Sequence, residues 1–407
     1  MPRYLTHLAA SSLLALVAAV AINWLADPYA IFGTPSIPDF NAAKPAIATN
    51  GRIFKMAGYL HRPMEALILG TSRALNISPK HEAFSGLRTL NLAMAAQPNA
   101  ETALIFKYVA EHNRLQTAVI GLDFFASNAY LPFPADFSEE NFSADRKLKL
   151  LLSFDTLKAS KNTLFRHGPA PIAPDAAKLN VKKKFSKQAF TASERSYMWG
   201  GTYLPAPKCR YALEAGKGET GKVQKTPPLE QIRALIALAH RRQVKLFLFI
   251  SPAHARQWET LAALGLWQKW EEWKRKLVRI NEEEGLRADQ HAFPLWDFSG
   301  YTRITSENLP GGNDPNAEMF GYIESSHYKP NIGNLILDRL FGLSVPERPL
   351  PKDFGVRLSS ANIASHLANV RSARLRYRQN HPQDIAEITA LERQVKAESR
   401  CIARDGN

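Results

Sequence analysis

Five short apolar runs limit how this 407-residue chain can fold: Ala66–Leu69, Leu87–Leu92, Thr117–Phe124, Val244–Ile250 and Phe293–Phe298. Runs of that length, bounded by turn residues, read as buried strands. Between them lie stretches with helical spacing. Ala100–Asn113 repeats through Leu104, Tyr108 and Val109, Leu229–Arg242 and Arg256–Glu284 follow, and Ile332–Phe341 comes last. Strands alternating with helices indicate an α/β fold, a parallel sheet covered by helices. The 45% hydrophobic content supports a core of that size.

The alternation is interrupted. From about 126 to 226 the sequence is polar, proline-containing and basic, with Lys182-Lys183-Lys184 at its centre. A long stretch without clear periodicity is a lid, a binding insertion or a disordered loop. The lysine run reads either as a solvated surface or as a docking surface for an anionic polymer or lipid headgroups. The tryptophans Trp258, Trp267, Trp270 and Trp273 fit core packing better than a sugar-stacking platform. Beyond Pro346, Ser359–Arg378 and Asp384–Arg400 read as a C-terminal helical hairpin across 346–407, broken at Asn380-His381-Pro382. No internal repeat is visible, which argues against a solenoid.

The N-terminus sets the compartment. Leu8–Ala26 is apolar but for Ser11, Ser12 and Asn23, close to the length that spans a bilayer. Arg3 before it and Asp27 after it predict a cytoplasmic stub at 1–7, a single inner-membrane anchor at 8–26 and an exported, periplasmic remainder. A signal peptide cleaved after Ala19-Val20-Ala21 is the alternative, but the apolar run continues to Trp24 and Leu25 and favours an uncleaved anchor. The proline-rich 27–65 then reads as a stalk leading into an α/β domain at 66–345. The net charge of +15 calls for an acidic partner. No nucleic-acid motif is present and aromatic residues do not alternate with the basic clusters, so an envelope polymer or lipid is the better match. The two cysteines, Cys209 and Cys401, lack metal-ligand spacing and are either a pair or two free thiols.

Chemistry is concentrated at Leu67–Ile77. An apolar run stops at Gly70, Ser72 follows, and a helix is expected to start there, leaving a hydroxyl at the sheet edge beside backbone N–H groups. A serine needs a base and a group that orients the base. His327 follows the last strand, and in an open parallel sheet the strand ends share one rim, so it can meet Ser72. Glu324 stands three residues earlier and can fix the imidazole tautomer, with Asp297 as a competitor. His254, after the fourth strand, falls near the same rim and is expected either in the site or as a local cap. Arg73 either contacts an anionic substrate or pairs with an acid.

Gly70-Thr71-Ser72-Arg73, Asn91, Gly121-x-Asp123 and the late Glu-x-x-His together resemble the SGNH hydrolase superfamily of GDSL-like esterases and acyltransferases. The likeness covers roughly 67–341 and is nearest to the membrane-anchored, exported branch, which includes proteins of alginate O-acetylation and teichoic acid D-alanylation. The resemblance implies a five-stranded, flavodoxin-like parallel sheet. It also implies Ser72 as nucleophile, His327 as base, Glu324 in the place of the usual Asp, and no metal or organic cofactor. The Ser72 N–H and either Asn91 or a backbone N–H near Ala93 would stabilise the oxyanion. Asp123 departs from the pattern, because a carboxylate stands where the family has an Asn donor and would repel an oxyanion. The expected activity is acyl transfer to, or ester hydrolysis on, an anionic polysaccharide or other envelope polymer, with acetyl as the acyl group and room for a membrane-embedded partner that delivers it. An inactive binding or scaffold module of polysaccharide machinery is the alternative, and an anion-binding protein using a helix start after Gly70 is a third.

Overall fold

Leu67, Ile68 and Leu69 have no exposed surface, so Ala66–Leu69 (β1) lies inside a sheet rather than at its edge. Each such side chain contributes roughly 1.5–3 kcal/mol by burial. The other strands are β2 (Thr89–Asn91), β3 (Thr117–Leu122), β4 (Lys245–Ile250), β5 (Leu295–Asp297) and β6 (Val356–Arg357), in the order β2-β1-β3-β4-β5-β6. The computed structural model describes residues 2–171, 184–198, 202–205, 209–214, 226–311 and 317–398. Pairing is parallel from β2 to β5, with Ala66 opposite Thr89 and Thr117, Thr117 opposite Lys245, and Leu248 opposite Leu295. β6 runs antiparallel to β5, with Arg357 opposite Trp296. The sheet is therefore mixed and six-stranded, not the five-stranded parallel sheet expected. Val356-Arg357 is too short and too polar to leave an apolar run in the sequence.

The helices in chain order are α1 (Pro2–Ala26), α2 (Asn99–His112), α3 (Arg146–Leu151), α4 (Phe154–Thr163), α5 (Lys187–Met198), α6 (Pro228–Arg241), α7 (Ala255–Ala263), α8 (Trp267–Arg287), α9 (Pro330–Phe341), α10 (Ile363–Asn380) and α11 (Pro382–Glu398). The chain divides into two compact units, 1–63 with 134–174 and 64–133 with 175–407.

In the second unit, alternate strand residues Ile68, Val119, Phe247 and Phe249 share a core cluster with Ile332, Ile336 and Leu337 of α9. Successive side chains of a strand face opposite ways, so Leu67, Ala118 and Leu246 point to the other side. There α6 packs on β4 and joins α2 and α8. Trp258, Trp270 and Trp273 are buried, which makes these three core packing, while Trp267 is half-buried. α11 packs on α7, completing the two C-terminal helices.

In the first unit, α1 carries the 24-residue stretch Arg3–Ala26, with mean hydropathy 2.1 in its apolar window, and is long and apolar enough to cross a membrane. The last turn of a helix leaves carbonyls without partners. Here Thr34 Oγ1 donates to the Trp24 carbonyl, Asn41 Nδ2 to Leu25 at 2.8 Å, and Lys44 Nζ to Ala26 at 2.7 Å. The segment expected as a stalk thus folds back on the helix end as far as residue 63. Part of the expected insertion, 134–171, belongs to this same unit. Lys182 and Lys183 lie outside the described residues, as does Cys401, while Cys209 is not a free thiol.

Candidate active site

Gly70 ends β1 with φ +140°, and a Cβ there would lie 2.9 Å from the Gly121 carbonyl oxygen and from the Ala74 Cβ. Both facts demand glycine, and together they turn the chain sharply out of the sheet. The turn delivers Ser72 to the carboxyl end of the strands. The next element is a short 3-10 turn, Ala74–Asn76, rather than the α-helix expected, so the anion-binding reading based on a helix start loses its footing.

His327 arrives from a loop more than two hundred residues further along the chain. Residues 322–328 form a tight loop closed by a bridge between Tyr322 and Tyr328 and by an Ile323 N–H bond to the His327 carbonyl at 2.9 Å. His327 Nε2 lies 2.7 Å from Ser72 Oγ, and its Nδ1 is hydrogen-bonded to Glu324 Oε1. With Nδ1–H donating to the carboxylate, Nε2 is the acceptor for the serine proton. Burial pushes the Glu324 carboxyl up, but the His327 hydrogen bond and charge outweigh it, with help from Ser193 and the Ser326 N–H, and hold it below its ordinary value. The second carboxylate oxygen accepts from the Ser326 N–H at 2.9 Å, so Glu324 is itself oriented.

The two loops are stitched together on both sides of the histidine. Arg73 Nε donates to the Ser326 carbonyl at 2.9 Å, and Asn76 Nδ2 donates to the Tyr328 carbonyl at 2.7 Å. The serine loop therefore holds both immediate neighbours of His327. Gly333, at the start of α9, tightens the same junction, since a Cβ there would lie 2.1 Å from the Asn76 carbonyl oxygen.

Arg73 does not face substrate. It is buried, and its guanidinium pairs with Asp123 and with Ser326 Oγ at 3.1 Å. Burial works against that charge, but the Asp123 carboxylate more than offsets it and holds the guanidinium protonated more firmly than usual. Asp123 also accepts from Thr71 Oγ1 at 2.5 Å, so both its oxygens are engaged by the loop that carries the serine. Asp123, expected in the oxyanion or substrate site, is instead buried and holds the Thr71 and Arg73 side chains on either side of Ser72.

Asn91 is corrected in the same way. Its amide donates to the Ala74 and Ile77 carbonyls at 2.9 and 2.8 Å and its oxygen accepts from the Ala93 N–H at 3.0 Å, so neither Asn91 nor that N–H is offered to a substrate. The Ser72 N–H makes no hydrogen bond to the described residues.

His254 is fully buried and caps α7, accepting the Arg256 N–H at Nδ1 and bonding the Glu307 carbonyl through Nε2 at 2.7 Å. It meets the His327 loop through its backbone N–H, which donates to the Ser325 carbonyl at 2.9 Å, and through its ring, which packs edge-on against Tyr322. Asp297 is no competitor for His327. It is buried among Lys274 Nζ at 2.6 Å, His366 Nε2 at 2.8 Å and Ser299 Oγ at 2.5 Å.

Three supporting residues escape a reading of the sequence. Tyr197 of α5 bonds Ser326 Oγ at 2.6 Å, while Asn76 and Ser326 make the contacts already described. Of these, only Ser326, adjoining His327, carries a positional signal. No cluster of three or more metal-ligating side chains occurs among the described residues. No family model, curated protein or solved structure matches this chain.

Proposed function

We propose that the chain is a membrane-anchored, exported SGNH-like serine esterase or acyltransferase acting on O-acyl groups, acetyl by preference, of an anionic envelope or extracellular polysaccharide. The observation that carries this reading is the Ser72–His327–Glu324 relay, with the serine and imidazole at hydrogen-bond distance and the carboxylate on the far nitrogen. The reading is supported by the parallel part of the sheet, in the order β2-β1-β3-β4-β5, with Ser72 and His327 meeting beyond the strand ends. The apolar α1 and the net charge of +15 suit a polymer worked on at a membrane.

In the reaction, Ser72 Oγ attacks the acyl carbonyl carbon and its proton passes to His327 Nε2. The charge that develops on the carbonyl oxygen is met by the Ser72 N–H. Collapse breaks the ester bond, His327 returns the proton to the departing alcohol, and an acyl-serine remains. A polysaccharide hydroxyl or water then attacks it, losing its proton to His327, and Ser72 is restored.

The test is mass spectrometry of the full-length protein after incubation with an activated acetyl ester. An acetyl group on Ser72, absent from Ser72→Ala together with all ester turnover, is the expected result. The second reading, an inactive polymer-binding module, draws on the commitment of Asn91 and Asp123 to the protein interior. Unmodified Ser72 with retained polymer binding would establish it and overturn the enzyme.

A further inference from the structure

In the first unit, α4 is built inside out for a water-facing helix, and α3 buries Leu150 but leaves apolar groups outside as well. Leu148, Leu152 and Phe154 are 59%, 50% and 69% exposed. The buried face of α4, which packs on α1, is instead Thr156, Ser160 and Thr163. A helix on a soluble surface places its apolar stripe inward. Small hydroxyl residues against a neighbouring helix with large apolar groups outside is the arrangement found where lipid replaces water.

The charges among these apolar groups are predominantly basic. Residues 146–166 hold Arg146, Lys147, Lys149, Lys158, Lys161 and Arg166 against a single acid, Asp155. Lys147, Lys161 and Arg166 form no ion pair with the described residues, and Lys158 Nζ lies over the Phe154 ring at 5.0 Å. The height of the pair along α1 is fixed by one buried side chain. Asn23, in the last turn of α1, donates to the Leu151 and Ser153 carbonyls at 2.9 and 3.2 Å and accepts from Ser160 Oγ at 3.0 Å. The bonds of Asn23 to Leu151 and Ser153 bring the turn that carries Leu152 and Phe154 to the end of α1, where Trp24 and Leu25 are 45% and 43% exposed.

We infer that α3 and α4 lie in the interface of an anionic phospholipid bilayer, with Leu148, Leu152 and Phe154 among the acyl chains and Lys147, Lys161 and Arg166 against the headgroup phosphates. This inference rests on α1 being in lipid, and the experiment separates the two. The full-length protein, carrying a genetically encoded benzophenone at position 14 or at position 154, is reconstituted in vesicles of equal phosphatidylglycerol and phosphatidylcholine and irradiated. Phospholipid adducts at both positions are expected. An adduct at 14 without one at 154 retains the anchor and overturns the interfacial pair. An adduct at 154 without one at 14 retains the pair and overturns the anchor, and none at either overturns both. Leu148→Ser with Leu152→Ser, at exposed positions where folding is undisturbed, should abolish the adduct at 154 and leave that at 14. An adduct at 154 unchanged by these replacements would also sink the inference.

Discussion

Glu324 and Asp297 both end next to a histidine, yet only one of those histidines reaches a serine. Glu324 fixes His327, and Asp297 neutralises buried Lys274 while bonding His366. The two carboxylates should separate cleanly when each is made an amide. Glu324→Gln removes the acceptor that sets the tautomer and should lower kcat on the order of 10³–10⁴-fold with folding intact. Asp297→Asn leaves Lys274 buried without its counter-charge and should cost about 3–5 kcal/mol of stability while turnover per folded molecule is retained. Steady-state kinetics and denaturant titrations on both variants decide it, and the reverse pattern would make Asp297 the orienting group. Sequence spacing favours Glu324 because it stands three positions before His327. The interior roles of Arg73 and Asp123 are illegible in the sequence, because an ion pair between residues fifty positions apart exists only once β1 and β3 are adjacent.

Among the elements, the strands are legible in the sequence where they are fully apolar. β1, β3 and β4 announce themselves because both of their faces are covered. β6 has no such signature. α5 is hidden for a different reason: its buried stripe of Phe190, Glu194, Tyr197 and Met198 has the right helical spacing but includes a carboxylate. That carboxylate is bound by the buried Arg256 at 2.6 and 2.9 Å, a partner the local sequence cannot reveal. α4 escapes because its apolar pattern is reversed. The packing of α9 against the serine loop gives a test at this scale. Gly333→Ala would force α9 away from the Asn76 carbonyl and is expected to cost roughly 1–3 kcal/mol by overpacking. Because Asn76 holds the residue after His327, ester turnover should fall together with stability, and loss of stability alone would show that the junction does not position the base.

At the scale of the whole molecule, His254 predicts how the fold responds to acid. Burial, with the nearby Arg256 charge, lowers its pKa to about 4 despite the Glu307 carbonyl bond. Nδ1 accepts a backbone N–H, so a proton there would set donor against donor. Because the unfolded chain takes up this proton near the ordinary histidine value of about 6.5, stability from the neutral form is complete above that pH. It declines as the pH falls toward 4, by about 3 kcal/mol in all. Urea titrations between pH 7 and 4 should show this loss, and His254→Gln should flatten it; an equally steep profile in the variant would assign the acid lability elsewhere.

The capped end of α1 has a mechanical consequence. Thr34, Asn41 and Lys44 occupy its final carbonyls, and Asn23 is bolted to α3 and α4, so no swivel separates helix from first unit. The helix behaves as a shaft keyed into its hub, and any neighbour that sets its rotation about its own axis thereby sets the heading of the entire first unit.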